Sequence, residues 1–357
     1  MSKRIALVLA GLLLLVAAAA WMFRGEIALR AMTRVMDRNL AAAPGEGLPD
    51  GLHVVLCGSG SPMPDPGRAG PCTAVIAGKR LFIFDAGAGS VRNLTLMGLP
   101  PARAERLFLT HLHSDHIDGL GELMLQHWAG GAAKSPLPVY GPAGVEKVVE
   151  GLMSAYGPDR GYRIAHHGEG VVPPSGFGGE ARVLAAGPQP VAVLDEPDLK
   201  ILAFSVDHAP VEPALGYVIS YKGRRVVISG DTRITPSVEQ AARGADLLVH
   251  EALSERLVGL QKAAAERAGR TNLSKIFSDI TGYHADPEAV AALAARAQVR
   301  YLLLTHIVPP LPVRALEGPF LGNSRRIFKG PVRVGRDGDR ISLPAGSGDI
   351  RLSRTLP

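Results

Sequence analysis

The segment 110–116 constrains the fold of this chain more than any other, because it places three histidines and one aspartate within seven positions. It reads Thr-His-Leu-His-Ser-Asp-His and follows the apolar run 106–109, which has the length of a buried strand. Burying such groups without partners would cost several kcal/mol, and a solvated loop has no need of three imidazoles. Imidazoles with a carboxylate and no thiolate favour zinc, with manganese or iron as alternatives. The segment therefore predicts a metal site at the end of a strand.

The composition sets broad limits on the class of protein. The chain has 357 residues, of which 46% are hydrophobic and 20% charged, so it can bury a large core and is not a disordered tail or a coiled coil. Two cysteines exclude a disulfide-rich scaffold and a cysteine-rich zinc ribbon. The formal net charge of +6 is compatible with anionic substrates, but it is too small to indicate nucleic-acid binding on its own.

An apolar run at 5–23 follows Lys3 and Arg4 and contains no charged residue. At 1.5 Å per residue it would extend about 28 Å, close to the bilayer core of about 30 Å. We favour an uncleaved inner-membrane anchor with a periplasmic catalytic domain, while a cleaved signal peptide and a domain on the cytoplasmic face stay open. The predicted segments are a transmembrane anchor or signal segment over 1–23, a juxtamembrane helix and linker over 24–51, and a catalytic domain over 52–357.

Cys57 and Cys72 flank a Gly/Pro-rich loop at the ends of two strand-like runs. They would form a disulfide in an oxidising compartment, or lie in the core as two unpaired small residues. The sequence leaves both arrangements open.

Strand-like and helix-like runs alternate along the domain. The short apolar runs 52–56 and 81–84 predict strands, and later strand runs alternate with amphipathic helices in both halves. This order predicts two sheets packed together with helices outside, an α/β sandwich. Three more candidate metal ligands stand at the ends of predicted strands: His208, Asp231 and His306. Each alone has an ordinary structural role as an alternative, but their shared position predicts that they complete the metal site.

Several short motifs follow one another in a recognisable order. They are Phe-Asp-Ala-Gly at 84–87, the histidine-rich segment, the histidine before Gly216 and Tyr217, Ser-Gly-Asp-Thr at 229–232, His-Glu-Ala at 250–252 and Leu-Thr-His at 304–306. Over 52–343 the chain resembles the metallo-β-lactamase superfamily, whose loop signature is HxHxDH, and within it the ribonuclease Z-like and arylsulfatase-like branch. The resemblance implies a four-layer αββα sandwich.

The resemblance also implies a site with two zinc ions. It assigns His111, His113 and His208 to one zinc, Asp115, His116 and His306 to the other, and Asp231 to a bridge between them. Asp85 would accept a hydrogen bond from a ligand imidazole. The catalytic residues that it implies are Asp115, Glu251 and His284, of which Glu251 and His284 form the pair that protonates the leaving oxygen.

These features predict a membrane-anchored dinuclear zinc hydrolase. It would cleave phosphodiester or sulfate-ester bonds of small anionic molecules by attack of a metal-bound hydroxide. The alternatives are tRNA 3′-end processing, as in ribonuclease Z, and lactone or thioester hydrolysis on the same metals. A metal-free binding module with the same fold is an alternative of another class. The oligomeric state stays open, a dimer included.

Two segments bear on the substrate. The resemblance would place a basic tRNA-gripping arm between the histidine-rich segment and His208, but 158–198 has no lysine and carries six acidic residues against three arginines. A nucleic-acid partner is therefore disfavoured. Five cations between Glu251 and His284 predict either a lid over an anionic substrate or a solvated helical face. These cations are Arg256, Lys262, Arg267, Arg270 and Lys275.

Overall fold

The computed structural model describes residues 3–41 and 43–356. Met1 and Ser2 of the predicted anchor, Ala42 of the predicted linker and Pro357 of the predicted domain lie outside the described residues. The chain divides into two compact units, Met1–Ala42 and Ala43–Pro357.

The N-terminal unit contains the helices α1 (Lys3–Met22) and α2 (Arg24–Ala41). Among the described residues, no single helix is both long and apolar enough to cross a bilayer, although Leu7–Met22 and Arg24–Asp37, bent by 67°, meet the length and composition limits as a pair. The single membrane-spanning helix predicted over 1–23 is therefore not found.

The second unit is built on two sheets. Its strands in chain order are β1 (Gly51–Gly58), β2 (Cys72–Ala77), β3 (Arg80–Phe84), β4 (Ala104–Phe108), β5 (Leu137–Gly141), β6 (Gly179–Val183), β7 (Val191–Asp195), β8 (Leu199–His208), β9 (Val211–Tyr221), β10 (Arg224–Ile228), β11 (Leu247–Leu253), β12 (Leu302–Val308), β13 (Val332–Val334), β14 (Asp339–Pro344) and β15 (Arg351–Arg354). One sheet has eight strands in the order β15-β14-β1-β2-β3-β4-β5-β6, and the other has seven in the order β13-β12-β11-β10-β9-β8-β7.

Helices connect the strands and lie on the outer faces of the sheets. They are α3 (Ser90–Leu96), α4 (Ser114–Ile117), α5 (Leu120–Leu125), α6 (Val145–Ala155), α7 (Gly157–His167), α8 (Pro236–Ala242), α9 (Glu255–Arg267), α10 (Thr271–Asp279), α11 (Pro287–Arg296), α12 (Glu317–Leu321) and α13 (Ser324–Ile327). Local sequence explains several starts. Thr235 caps α8 by accepting a hydrogen bond from Val238 N, and Asp286 caps α11 by accepting one from Glu288 N. A proline occupies the first turn of both helices, where no N–H is needed.

Three apolar clusters hold these layers together. The central cluster lies between the sheets and includes Phe84, whose ring centroid is 5.0 Å from that of Phe108 and 5.2 Å from that of Tyr217. A second cluster packs the outer face of the eight-stranded sheet against α3, α5 and α6. A third packs the seven-stranded sheet against α8 and α11. The predicted α/β sandwich of two sheets with helices outside is confirmed.

The loop between β1 and β2 is tied at its base by a covalent bond. Cys57 and Cys72 form a disulfide with their Cα atoms 5.0 Å apart, and both side chains are buried. Of the two arrangements that the sequence leaves open, the structure therefore has the bridged one.

A buried carboxylate holds the same loop from the other side. Asp337 Oδ1 accepts hydrogen bonds from Ser59 N at 2.9 Å and Ser59 Oγ at 2.8 Å. Its Oδ2 accepts from Ala69 N at 2.7 Å and from Asn93 Nδ2 at 2.8 Å. Four donors on one carboxylate satisfy both oxygens, so the loop has a defined position beside the strand ends.

Candidate metal centre

The histidine-rich segment leaves β4 and turns into α4, and this turn aims its side chains at one point. Asp85, just after the neighbouring parallel strand β3, holds the turn in place. Its Oδ1 accepts from Thr110 N at 2.8 Å, and its Oδ2 accepts from Thr110 Oγ1 and from His116 Nδ1, both at 2.9 Å. Because His116 Nδ1 is engaged by Asp85, the Nε2 atom of His116 is the one left to face the site.

Three strands of the seven-stranded sheet bring in the other predicted ligands. His208 is the last residue of β8, Asp231 follows β10, and His306 lies within β12. The pairing of β11 with β12 shifts register at His306, whose backbone φ is 45°. A bulge of this kind changes the direction of a side chain along a strand, which explains how a residue inside a strand reaches the site.

One group of ring nitrogens is formed by His111, His113 and His208. His113 Nδ1 lies 2.9 Å from His111 Nε2 and 3.4 Å from His208 Nε2. His208 Nδ1 donates to the carbonyl oxygen of Tyr283 at 3.0 Å, so its Nε2 carries the electron pair. The three side chains offer donor atoms that lie within 4.8 Å of one another, a spacing that suits three ligands of one cation.

A second group is formed by Asp115, His116 and His306. His306 Nε2 lies 3.3 Å from Asp115 Oδ2, and His116 Nε2 lies 3.5 Å from the same oxygen. Asp231 Oδ2 lies 3.1 Å from His306 Nε2, 3.3 Å from His116 Nε2 and 3.9 Å from His111 Nε2. Asp231 therefore lies between the two groups, and the structure brings all seven predicted ligand residues together.

Burial and mutual charge perturb the pKa values of these groups. Burial, with the neighbouring imidazoles, holds the pKa of His111 well below its ordinary value. Burial opposes a charge on His116 too, but Asp231, Asp85 and Asp115 outweigh it and raise the pKa of His116 well above its ordinary value. Burial would raise the pKa of Asp231, but His306 and His116 hold it well below its ordinary value. The ionised carboxylates of this buried cluster are therefore stable only with a positive charge beside them.

The donor set fits a divalent metal ion. His116 Nε2 is buried and has no hydrogen-bond partner among the described residues, although it points at two carboxylate oxygens. An ion among these atoms would satisfy this nitrogen and supply the positive charge that the carboxylates require. Imidazole and carboxylate ligands without thiolate are those that zinc takes in catalytic sites.

The predicted acid pair lies beside the ligand cluster. Glu251 is buried on β11, where its Oε1 accepts from Ala285 N at 2.8 Å and its Oε2 lies 3.4 Å from His284 Nδ1. The ring centroid of His284 is 5.1 Å from that of His208 and 5.3 Å from that of His306. The Glu251 carboxylate therefore lies beside the His284 imidazole at the edge of the metal centre.

A cleft of about 610 Å³ opens over the cluster. Its inner side is formed by His113, Asp115, Asp231, His284 and His306. No lysine or arginine is found among the described residues that line it. The cations between Glu251 and His284 therefore do not face the reaction centre, and the interpretation of this segment as a cationic lid is corrected. The helices α9 and α10 do line the cleft, but with apolar side chains and one amide.

Sequence reasoning missed these lining residues. The apolar face of α10 contributes Leu273, Ile276 and Phe277, and Gln261 comes from α9. With Ile280, the three apolar residues follow an i, i+3, i+4, i+7 pattern, which is the only signal in the sequence. The same pattern is typical of any core-facing helix, so it could not identify a substrate cleft.

Comparisons with known proteins agree with this geometry. Residues 80–307 match the β-lactamase superfamily domain. The chain is 37% identical over 298 residues to a protein named ribonuclease Z from Mycobacterium avium, a match that covers 83% of this chain and 100% of the relative. It is 35% identical over 294 residues to the ribonuclease Z of Mycobacterium tuberculosis, covering 82% of this chain and 98% of the relative.

Two solved structures share the fold. The metallo-β-lactamase fold protein YhfI from Bacillus subtilis superimposes with a TM-score of 0.59 at 18% identity, over 82% of this chain and 100% of that one. The short form of human tRNase Z superimposes with a TM-score of 0.56 at 23% identity, over 82% of this chain and 99% of that one. At these identities the likeness establishes the fold alone.

The predicted location is overturned by these findings. The relatives that match more than four fifths of the chain are named ribonuclease Z, and no single helix among the described residues can cross a bilayer. The prediction of an inner-membrane anchor with a periplasmic catalytic domain is wrong. It relied on the length of the apolar run 5–23 in the sequence alone.

Fold, site and relatives lead to one family. The matched domain includes every predicted ligand from His111 to His306, and the ribonuclease Z relatives extend the match over most of the catalytic unit. The chain is therefore a metal-dependent hydrolase that belongs to the β-lactamase superfamily, in its ribonuclease Z-like branch.

Proposed function

We propose that this protein is a phosphodiesterase of the ribonuclease Z type, which removes the 3′ extension of precursor tRNA. The observation that carries the proposal is the 37% identity to the Mycobacterium avium ribonuclease Z over the whole length of that relative. The proposed substrate is a nucleic acid and not the small anionic ester that the sequence analysis favours. The proposed reaction is cleavage of a phosphodiester and not of a sulfate ester.

The acidic balance of 158–198 does not argue against an RNA substrate once the ion pairs of this segment are known. Four of its six acidic residues lie against cations, which cancel their charge locally. The pairs are Asp159 with Arg163 at 2.6 Å, Glu180 with Arg182 at 3.0 Å, Asp195 with Lys200 at 2.9 Å, and Glu196 with Arg80. Two of these cations, Lys200 and Arg80, lie outside the segment, so counting charges along 158–198 alone overstates its negative potential.

We assign two divalent metal ions, zinc by the chemistry of the donors, to the candidate centre. His111, His113 and His208 would hold one ion, Asp115, His116 and His306 the other, and Asp231 would bridge them. When bound, such ions lower the pKa of water and polarise a phosphoryl oxygen.

The chain's own residues supply the proton transfers. Asp115, whose Oδ2 lies 3.3 Å from His306 Nε2, is placed to accept a hydrogen bond from the attacking water. Glu251 Oε2 lies 3.4 Å from His284 Nδ1, and a carboxylate beside an imidazole can orient the ring for proton transfer. His284 then donates a proton to the 3′ oxygen that leaves.

The test is cleavage of a precursor tRNA carrying a 3′ trailer by the full chain loaded with zinc. We expect one cut at the junction with the trailer, and we expect His116→Ala to lower the rate by at least about 100-fold together with its zinc content. Leu260→Ala is the control, since Leu260 is 64% exposed on α9 and does not line the cleft. If the native protein hydrolyses a simple phosphodiester but leaves the precursor intact, tRNA is not the substrate.

A further inference from the structure

We propose that the cleft binds an uncharged aromatic ring of the substrate, attached to the ester that is cleaved, and that α10 is the surface that selects this ring. The inference rests on the phosphodiester hydrolysis of the proposed function and names the group next to the scissile bond. The ring is that of a nucleobase or of an aryl alcohol, since both have a flat apolar face.

The wall of the cleft that α10 forms is apolar. α10 turns Leu273, Ile276 and Phe277 toward the cleft from one helical face. Phe277 and Met63, the latter from the loop between β1 and β2, pack against a buried apolar cluster. That cluster consists of Leu253, Val258, Ile280 and Val308. A substrate group that enters the cleft therefore meets a preformed apolar surface, with Phe277 available for ring stacking.

Size and charge limit what this wall can face. A cleft of about 610 Å³ has room for one phosphodiester with one ring system, and lies in the usual range for small-ligand sites. The described lining residues include no lysine or arginine, whereas a groove that follows a chain of phosphates needs several. The cleft therefore accommodates one charged phosphate at the metal centre and a neutral group against α10.

Two polar atoms of the cleft that do not belong to the metal centre or the acid pair lack partners. Gln261 Oε1, on α9, and Ser61 Oγ, in the loop between β1 and β2, are buried without a hydrogen bond among the described residues. A buried acceptor without a donor is unfavourable, so a ligand that donates to Gln261 Oε1 gains from the contact. A ring that carries an N–H at its edge provides such a donor, and a plain phenyl ring does not.

Three synthetic diesters with the same p-nitrophenolate leaving group test the inference: methyl, phenyl and thymidine-5′ p-nitrophenyl phosphate. We expect kcat/KM of the native protein to be about tenfold higher for a ring-bearing diester than for the methyl diester, which corresponds to one stacked ring. Since the leaving group is constant, the difference reports binding of the remaining group. The thymidine and phenyl arms distinguish a nucleobase from an aryl group.

Variants of the wall make the assignment specific. Phe277→Ala is expected to bring kcat/KM for the ring-bearing and methyl diesters to within about twofold of each other, mainly through a higher KM for the ring-bearing diesters. Ile276→Ala, at a position that is 48% exposed and safe for folding, is expected to give a smaller change in the same direction. Leu260→Ala is expected to leave the preference unchanged.

The variant Gln261→Leu tests whether the ring that binds is a nucleobase or an aryl group. It is expected to lower kcat/KM about fivefold for the thymidine diester alone, because only thymine donates an N–H. The inference is overturned if the native protein does not prefer ring-bearing diesters, or if Phe277→Ala keeps the full preference. Because small diesters are used, a protein that fails to cleave precursor tRNA can still pass or fail this test.

Discussion

At the scale of residues, the metal centre depends on backbone conformations that isolated peptides avoid. His306 has a φ of 45° and Asp85 a φ of 58°, in the region that non-glycine residues enter at a cost of about 1–3 kcal/mol. At His306 this cost is offset by the pairing of the bulged strand β12 with β11. At Asp85 it is offset by the three hydrogen bonds that the carboxylate accepts. Both positions are therefore held by partners that are distant in sequence.

Asp85→Asn tests the role of this support. An amide cannot accept both from the Thr110 groups and from His116 Nδ1, so the orientation of His116 is lost while the side-chain volume is kept. We expect zinc affinity and activity to fall about 10–100-fold, measured by metal titration and by hydrolysis of a phosphodiester. Asp349→Asn, at an exposed ion pair with Arg351, serves as the matched control. A variant with native zinc affinity would show that Asp85 does not support the centre.

At the scale of elements, the loop between β1 and β2 is as important as the helices around the cleft. It supplies Ser61 and Met63 to the cleft, and it is held by the disulfide between Cys57 and Cys72 and by Asp337. At Gly58, the last residue of β1 before the loop, a Cβ would lie 1.7 Å from the carbonyl oxygen of Gly70, so no other residue fits there. The loop is thus constrained by covalent, polar and steric contacts together.

Removing the disulfide should weaken the fold measurably. The bridge closes a loop with a sequence separation of 15, and a loop of this length contributes about 3 kcal/mol to the free energy of unfolding in the chain-entropy account. The double variant Cys57→Ala/Cys72→Ala should lose about that much in urea unfolding. A reducing agent should produce a similar loss in the native protein and none in the variant. Equal stability of the native protein with and without reductant would contradict the stabilising role of the bridge.

At the scale of the whole molecule, the metal centre joins the two sheets. The turn after β4 in the eight-stranded sheet carries His111, His113, Asp115 and His116, whereas β8, β10 and β12 of the seven-stranded sheet position the other ligands. Bound metal therefore stabilises the packing of one sheet against the other as well as the site.

Removing the metal should lower the unfolding temperature of the full chain and abolish hydrolysis. Metal at 100 times its Kd contributes about 2.7 kcal/mol, which corresponds to a shift of about 4 °C for a domain of this size. Zinc added back after chelation should restore both properties. In His116→Ala, chelation should shift the unfolding temperature by less than about half of the native shift. In Leu260→Ala the shift should equal that of the native protein. An unfolding temperature that does not respond to chelation would contradict a metal that links the sheets.

The sequence by itself determined the fold class and the identity of the candidate ligands. Strand and helix periodicity is a local property, and so is the spacing of imidazoles within 110–116, so both can be recognised along the chain. The strand-end positions of His208 and Asp231 are local as well, because polar residues that follow apolar runs converge where strands of a sheet end. His306 is predicted at a strand end too, but it lies within β12 and reaches the site through the bulge.

The tertiary structure alone decided which atoms meet. The bulge that turns His306 inward comes from pairing with β11, and the apolar wall of α10 faces the cleft because of packing against residues from other elements. The prediction of a membrane anchor failed because it relied on the length of one apolar run. Contacts between distant residues set these features, and no pattern of neighbouring residues contains them.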